Sequence, residues 1–162
     1  MIKEAIFDEQ REYRYSIKRT WNKNKKRVAF ICLNPSTADE YEDDQTLSRC
    51  IDFSKRWENG LFGSLEVVNL FAIRATDPQV MKAAENPVGK DNDEYILNAV
   101  KNADLIIAAW GEHGTFRRRD REVLTLIKSL SREIHCLEVL KCKQPKHPSR
   151  AKKDLEPTPY IY

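Results

Sequence analysis

The chain has 162 residues, 33% of them charged, a net charge of +3 and a mean hydropathy of −0.65. That length suffices for one domain to bury about 70% of its unfolded surface without disulfides or metals, and the apolar stretch Ala103 to Trp110 is far too short to span a bilayer. Residues Met1 to Asp8 include acids and no extended apolar run, so they do not read as a signal peptide, and a soluble cytoplasmic protein with no membrane contact is expected.

Ile2 to Phe7 and Tyr13 to Arg19 read as strands joined through Asp8-Glu9-Gln10, a hairpin flanking the main sheet. Arg27 to Leu33 is a third, more buried strand. After the Asn34 to Asp44 loop, Leu47, Cys50, Ile51, Ser54 and Trp57 recur at helical spacing, with Asp43-Asp44 as cap and Asn59-Gly60 as stop. Ser64 to Phe71 is the next strand. Ala72 to Lys90, carrying Pro78, Pro87 and Gly89, reads as a functional loop with at most a short helix. Asp91 and Glu94 resemble a capping box ahead of Ile96, Leu97 and Val100. Leu105 to Trp110 is an apolar strand, Phe116 to Leu130 a helix, and Ile134 to Leu140 the last strand.

Strands alternating with helices from residue 27 onward predict an α/β fold, a three-layer αβα sandwich around a central, mainly parallel sheet, plus the N-terminal hairpin. A single domain is expected over residues 1–162, with its core at about 27–151. The tail at 152–162, with Pro157 and Pro159, is expected to be extended and loosely packed.

Cys32, Cys50, Cys136 and Cys142 are irregularly spaced and read as free thiols rather than a disulfide framework. His135, Cys136, Cys142 and His147 do not follow a standard structural-zinc spacing, and neither a metal nor another cofactor is expected. The net charge alone does not mark a nucleic-acid binder, but its distribution is uneven. Lys141 to Lys153 holds six Lys or Arg and no acid, and Arg117, Arg118, Arg119 and Arg121 crowd a helix start. Cations there oppose the macrodipole; Asp120 and Glu122 offset part of the conflict, and a bound phosphate would remove the rest.

Four polar segments each follow a strand-like run: Leu33-Asn34-Pro35-Ser36, Val68-Asn69-Leu70, Ala109-Trp110-Gly111 and Lys146-His147-Pro148-Ser149. In an open α/β sheet, ligands settle at the carboxyl ends of the parallel strands. Asn34, Asn69, His147 and Ser149 are therefore expected to meet in one crevice. Taken singly, each has an ordinary explanation: Asn34-Pro35 turns the chain, Asn69 is a paired buried amide, His147 is a surface residue and Trp110 is core. Gly111-Glu112-His113-Gly114 offers amides to an anion but lacks the spacing of a Rossmann fingerprint or a P-loop. Ser36 or Ser149 with His147 lacks the nucleophile elbow of a serine hydrolase.

Over about residues 27 to 151 these segments resemble the motif series of the uracil-DNA glycosylase superfamily. More closely, Leu33 to Asp39, Asp43 to Thr46, Asn69 to Thr76 and Pro145 to Pro148 resemble an uncharacterised domain of unknown function found in bacteria and their phages. The superfamily resemblance implies a nucleobase-recognising protein whose partner is DNA, single-stranded or modified, or a nucleotide. Its activity would be metal-independent N-glycosidic hydrolysis at a mismatched or modified pyrimidine; the alternative is a non-catalytic binding module of the same fold.

The same resemblance implies site roles. Asn34 would direct water at the sugar, and His147 would donate a hydrogen bond to the departing base. Asn69, with Leu33 and Ser36, would form the base pocket, and Ser149, Arg150, Arg117 and Lys146 would contact phosphate. Three positions depart from the pattern. The most active branch has Asp where Asn34 stands, and an amide is no general base; a slower, mismatch-specific branch does carry Asn-Pro. Asp39, Asp43 or Asp44 is then the expected replacement carboxylate, and Asn34→Asp is expected to raise activity in a competent scaffold. Ser36 is small where uracil-selective enzymes are bulky, which implies a roomier pocket, and nothing near Ala151 resembles the apolar wedge used on duplexes.

Overall fold

Seven strands form one mixed sheet in the computed structural model, which describes residues 1–162: β1 (Ile2–Phe7), β2 (Arg14–Thr20), β3 (Lys26–Cys32), β4 (Phe62–Asn69), β5 (Leu105–Ala108), β6 (His135–Cys136) and β7 (Thr158–Pro159). Their spatial order is β1-β2-β4-β3-β5-β6-β7. The four central strands run parallel, while β1, β2 and β7 pair antiparallel at the two sides. The parallel centre suits the apolar runs of β3 and β5, which are buried on both faces.

Helix α1 (Gln45–Arg56) covers one face, packing Leu47, Cys50 and Phe53 with Phe30, Val67 and Ile107. Helices α3 (Asn92–Asn102) and α4 (Arg119–Ser129) cover the other, where Ile96, Val100, Val123 and Ile127 meet Ile31, Val68 and Ile106. Short α2 (Pro78–Ala83) lies in the expected loop, capped by Asp77 with Pro78 opening the turn. The α1 signals act as read: Asp44 accepts the Leu47 N–H at 2.9 Å, and Gly60 sits in the left-handed region at φ 80°. No helix is long and apolar enough to cross a membrane.

Four local expectations are corrected. The strand expected at Ile134 to Leu140 stays in the sheet only at His135–Cys136. Residues 138–140 then leave it and pair with 144–146, through Leu140 N–H to the Gln144 carbonyl and Lys146 N–H to the Glu138 carbonyl. This small hairpin carries His147 back to the sheet edge. The helix expected from Phe116 begins at Arg119, because Phe116 and Arg117 leave helical geometry. At the start of α3, Asp91 makes no side-chain cap; the neighbouring Asn92 turns inward and donates to the carbonyls of Asn69 and Leu70 at 2.9 and 3.1 Å.

The tail is packed. The Leu155 carbonyl accepts the Trp57 indole N–H at 2.9 Å, β7 pairs with β6, and Tyr160 enters the core and donates to the Lys143 carbonyl at 2.9 Å. Pro159 is tolerated because β7 is an edge strand, where a missing N–H leaves no ladder bond unmade.

One irregularity in the hairpin positions the site. Ile6 faces Ser16, but Phe7 faces Arg14, so Tyr15 is the extra residue of a β-bulge. The alternation of faces resets across it. Ser16 donates to Glu66, which shares the α3 face with Val68, and Tyr15 stacks on Tyr95 of α3 at 5.1 Å. Arg14 is thereby turned to the α1 face, with Ile17, and donates to the Ala38 carbonyl at 3.1 Å.

Candidate functional site

The carboxyl ends of β3 and β5, the start of α1 and the 138–146 hairpin enclose a cleft of about 620 Å³. Leu33, Asn34 and Ser36 line one wall, and Lys146, His147, Ser149 and Arg150 another, with Asp44, Trp110 and Glu112 between them. Behind it lies a cavity of about 30 Å³, floored by Arg14, Cys32, Val67 and Asn69 and sharing Asn34, Ser36, Asp44, Thr46 and His147 with the cleft. The cavity has about one-twentieth of the cleft's volume, space for a water or a small substituent beside a cleft with space for a ring.

The loop from Asn34 to Asp44 is fixed by arginines bound to its backbone. Arg19, fully buried, holds Asp43 at 2.9 Å and the Asp39 carbonyl, and Arg74 reaches the Ser36 carbonyl at 3.3 Å. Asn34 is oriented in turn: its Nδ2 donates to the carbonyls of Pro35 at 3.1 Å and Ala75 at 2.7 Å, leaving Oδ1 as the acceptor it can offer to a ligand or water. An aspartate in this place would set a carboxylate oxygen against two carbonyl oxygens. The amide is therefore what the local backbone requires, which reverses the expectation that Asn34→Asp improves the site.

Asn69 ends β4 at 1% exposure, and its Nδ2 has no hydrogen-bond partner. Most buried amides are paired, so Asn69 Nδ2 stands out as a donor still open to a partner. His147 is held by its own turn: Nδ1 accepts the Ser149 N–H at 3.3 Å and lies 2.7 Å from Ser149 Oγ. Burial lowers its pKa to about 4, with Asp44 pulling upward and Arg150 downward. The ring is therefore neutral at physiological pH, and with Nδ1 accepting, the proton resides on Nε2 as a donor. The Ser149 contact does not make a nucleophile, because a histidine protonating near pH 4 is a weak base and no acid orients it.

Among the carboxylates considered, Asp39 is tied to the N–H groups of Tyr41 and Glu42, which with Arg11 and Arg74 nearby hold its pKa below the usual range, and Asp43 is paired with Arg19. Asp44 is the one that lines the cleft, although its oxygens already accept from Leu47 and Ala38 N–H.

The basic residues divide. Lys146 and Arg150 line the cleft, Lys146 bridging to Glu138 at 3.1 Å. Arg117 does not reach it and stacks over Phe116 at 5.1 Å. The cationic start of α4 is compensated by protein acids: Arg119 pairs with Asp93 at 2.6 Å and Glu122 at 3.7 Å. Nor do the two glycines cradle an anion. Gly111 N–H is bound to the Pro145 carbonyl and Gly114 N–H to the Gly111 carbonyl, and a Cβ on Gly114 would lie 2.0 Å from the Trp110 ring. Trp110 is core as read, and its indole N–H also donates to Gln144 at 2.9 Å.

Arg14 is the site residue that pattern reading missed. Strict alternation along β2 places it with Ser16 on the opposite face, and the bulge that moves it depends on the pairing with β1.

Fold and site together define an α/β protein with a half-enclosed polar cleft at the carboxyl edge of its parallel strands. The chain matches the family described as "Protein of unknown function (DUF1643)" over residues 14–149 and belongs to it. No curated protein and no solved structure matches the chain.

Proposed function

We propose that the cleft binds a pyrimidine nucleobase and supports hydrolysis of its N-glycosidic bond, on a scaffold of the uracil-DNA glycosylase type. The observation that carries this reading is the unpartnered amide of Asn69, buried behind a cleft that Asn34 and a neutral His147 also line. The ring fits the cleft and not the small cavity, so Asn69 meets a substituent of the base rather than its whole edge. In the reaction the sugar–base bond breaks with its electron pair going to the base. Water forms the new bond to the sugar carbon, and its proton ends on the base nitrogen.

Asn34 Oδ1 accepts a hydrogen bond from that water, and His147 Nε2–H donates to the negative charge developing on the base, without prior protonation of the ring. Lys146 and Arg150 share the cleft lining with the acids Asp44 and Glu112, which favours one or two phosphate contacts on a single strand or a nucleotide over a long duplex. The second reading, a binding module without turnover, is favoured by one feature: Asp44, the carboxylate at hand for a water proton, is already engaged as a helix cap.

The test is abasic-site formation on single- and double-stranded oligonucleotides carrying uracil, G:T mismatches and modified pyrimidines. Base release on single strands that falls at least about 100-fold in both His147→Ala and Asn69→Ala supports the hydrolase. Binding lost in Asn69→Ala with no release in any protein moves the chain to the binding module. Neither release nor binding ends the nucleobase reading.

A further inference from the structure

We infer that the small cavity is an oxygen subsite, in which Arg14 and Asn69 donate to one carbonyl oxygen of the base, making Arg14 a specificity-determining residue. The inference rests on the nucleobase reading above and adds the substituent that the site selects. Two buried nitrogens have no hydrogen-bond partner and belong to residues of this one cavity: Arg14 Nε and Asn69 Nδ2. The two residues are 4% and 1% exposed. A buried donor left unpaired costs about 1–3 kcal/mol, more when it is charged. Two such donors at one small space define what is missing there.

What is missing is an acceptor. The carboxylate of Asp44, in the same lining, is committed to two backbone N–H groups, Val67 and Leu47 contribute only hydrocarbon side chains, and none of the Asn34, Ser36 or Thr46 oxygens that also line the cavity bonds to either nitrogen. The Asn69 amide can turn over and present its oxygen instead. Arg14 has no such freedom, since a guanidinium donates in every orientation and accepts in none. Its Nη1 is anchored on the Ala38 carbonyl, so the polarity of the subsite is set by a group whose position the bulge fixes.

Burial lowers the Arg14 pKa to about 10, with Asp44 opposing, which leaves it cationic at neutral pH. Size agrees with polarity: at about one-twentieth of the cleft's volume, the cavity suits an exocyclic oxygen while the cleft takes the ring. An amino group there would set donor against donor, and sites built to hydrogen-bond a substrate atom reject analogues that lack the partner. A carbonyl oxygen is also where charge gathers as a pyrimidine departs, so the same contact strengthens along the reaction.

The probes are 2′-deoxyuridine 5′-monophosphate and its 2-thio and 4-thio analogues, titrated calorimetrically into the native protein and into Arg14→Met. Sulfur is a poorer acceptor than oxygen. One analogue is expected to bind native protein about tenfold more weakly than the oxygen compound, the other within about twofold. In Arg14→Met the oxygen compound is expected to fall to the weaker analogue's level, which erases the difference. Equal binding of all three by native protein, or a thio penalty undiminished in Arg14→Met, overturns the subsite and leaves the base site standing. No binding of any probe by native protein ends both. If Arg14→Met does not fold, a crystal structure of native protein with the oxygen nucleotide decides: a base oxygen within hydrogen-bond distance of Arg14 Nε upholds the inference, and a retained water there overturns it.

Discussion

Arg14 and Arg119 are both buried arginines, one on each face of the sheet. Arg119, on the α4 side, has its Nε on the Leu70 carbonyl at 2.8 Å and its terminal nitrogens beside Asp93 and Glu122. Arg14, on the α1 side, has one carbonyl partner, no carboxylate bridge and an idle Nε. A buried charge is normally compensated within the protein. The α4 face obeys that rule, and the other face breaks it beside a cavity. The contrast separates an arginine that completes the fold from one that waits for a ligand.

The largest expected effect tests that separation directly. Arg119→Met should lower unfolding stability by about 3 kcal/mol, because it removes two charged hydrogen bonds and leaves Asp93 and Glu122 without their cation. Arg14→Met should stay within about 1 kcal/mol, since the removed cation was itself underpaired. Urea unfolding of both variants measures this, and equal losses would erase the distinction.

A similar effect sharpens it on the cleft side. The folded His147 pKa, near 4, lies below its ordinary value of 6.5, so the unfolded chain binds more protons between those values. Stability is then full above pH 6.5 and falls as pH drops toward 4, by about 3 kcal/mol. His147→Gln should flatten the upper part of that window, from pH 6.5 to 5, before carboxylates contribute. Denaturant unfolding at half-unit pH steps reads the slope.

Asn34→Asp should cost about 2 kcal/mol at neutral pH and yield no gain in base release, because two donated hydrogen bonds become repulsions. A rise in turnover would show that the loop can release the Pro35 and Ala75 carbonyls. The smallest effect lies on the compensated side. Tyr160→Phe loses one hydrogen bond to Lys143, worth about 1 kcal/mol, and should lower the melting temperature slightly while nucleotide affinity stays unchanged.

What could be read from sequence was local or periodic. Helix α1 announces its face, its Asp44 cap and its Gly60 stop within seventeen consecutive positions, 44 to 60. The placement of Asn34 in the cleft, with Asn69 behind it, follows from where apolar strands end in a parallel sheet, whereas His147 joins them through the 138–146 hairpin. Elements fixed by distant partners were illegible. The tail has no period, and its anchors, Trp57, Ile134 and Lys143, lie far from it in sequence. Arg119 looks like a phosphate ligand until Asp93, on another helix, is placed beside it. The hairpin at 138–146 begins inside the run that reads as a strand, Ile134 to Leu140, and its turn depends on Lys143 adopting φ 72°.

Tyr15 gives the site an unusual kind of genetic address. Because one surplus residue turns Arg14 inward, the guanidinium's presence in the cavity depends on the number of residues in a strand as well as on their identity. A scan that replaces side chains one at a time would see Arg14 as a single sensitive position among many. Adding one codon between Arg14 and Ser16 would, with the bulge retained, swing the arginine to the opposite face while leaving it in the protein. In this fold, a change of length reaches a functional group that substitution can only delete.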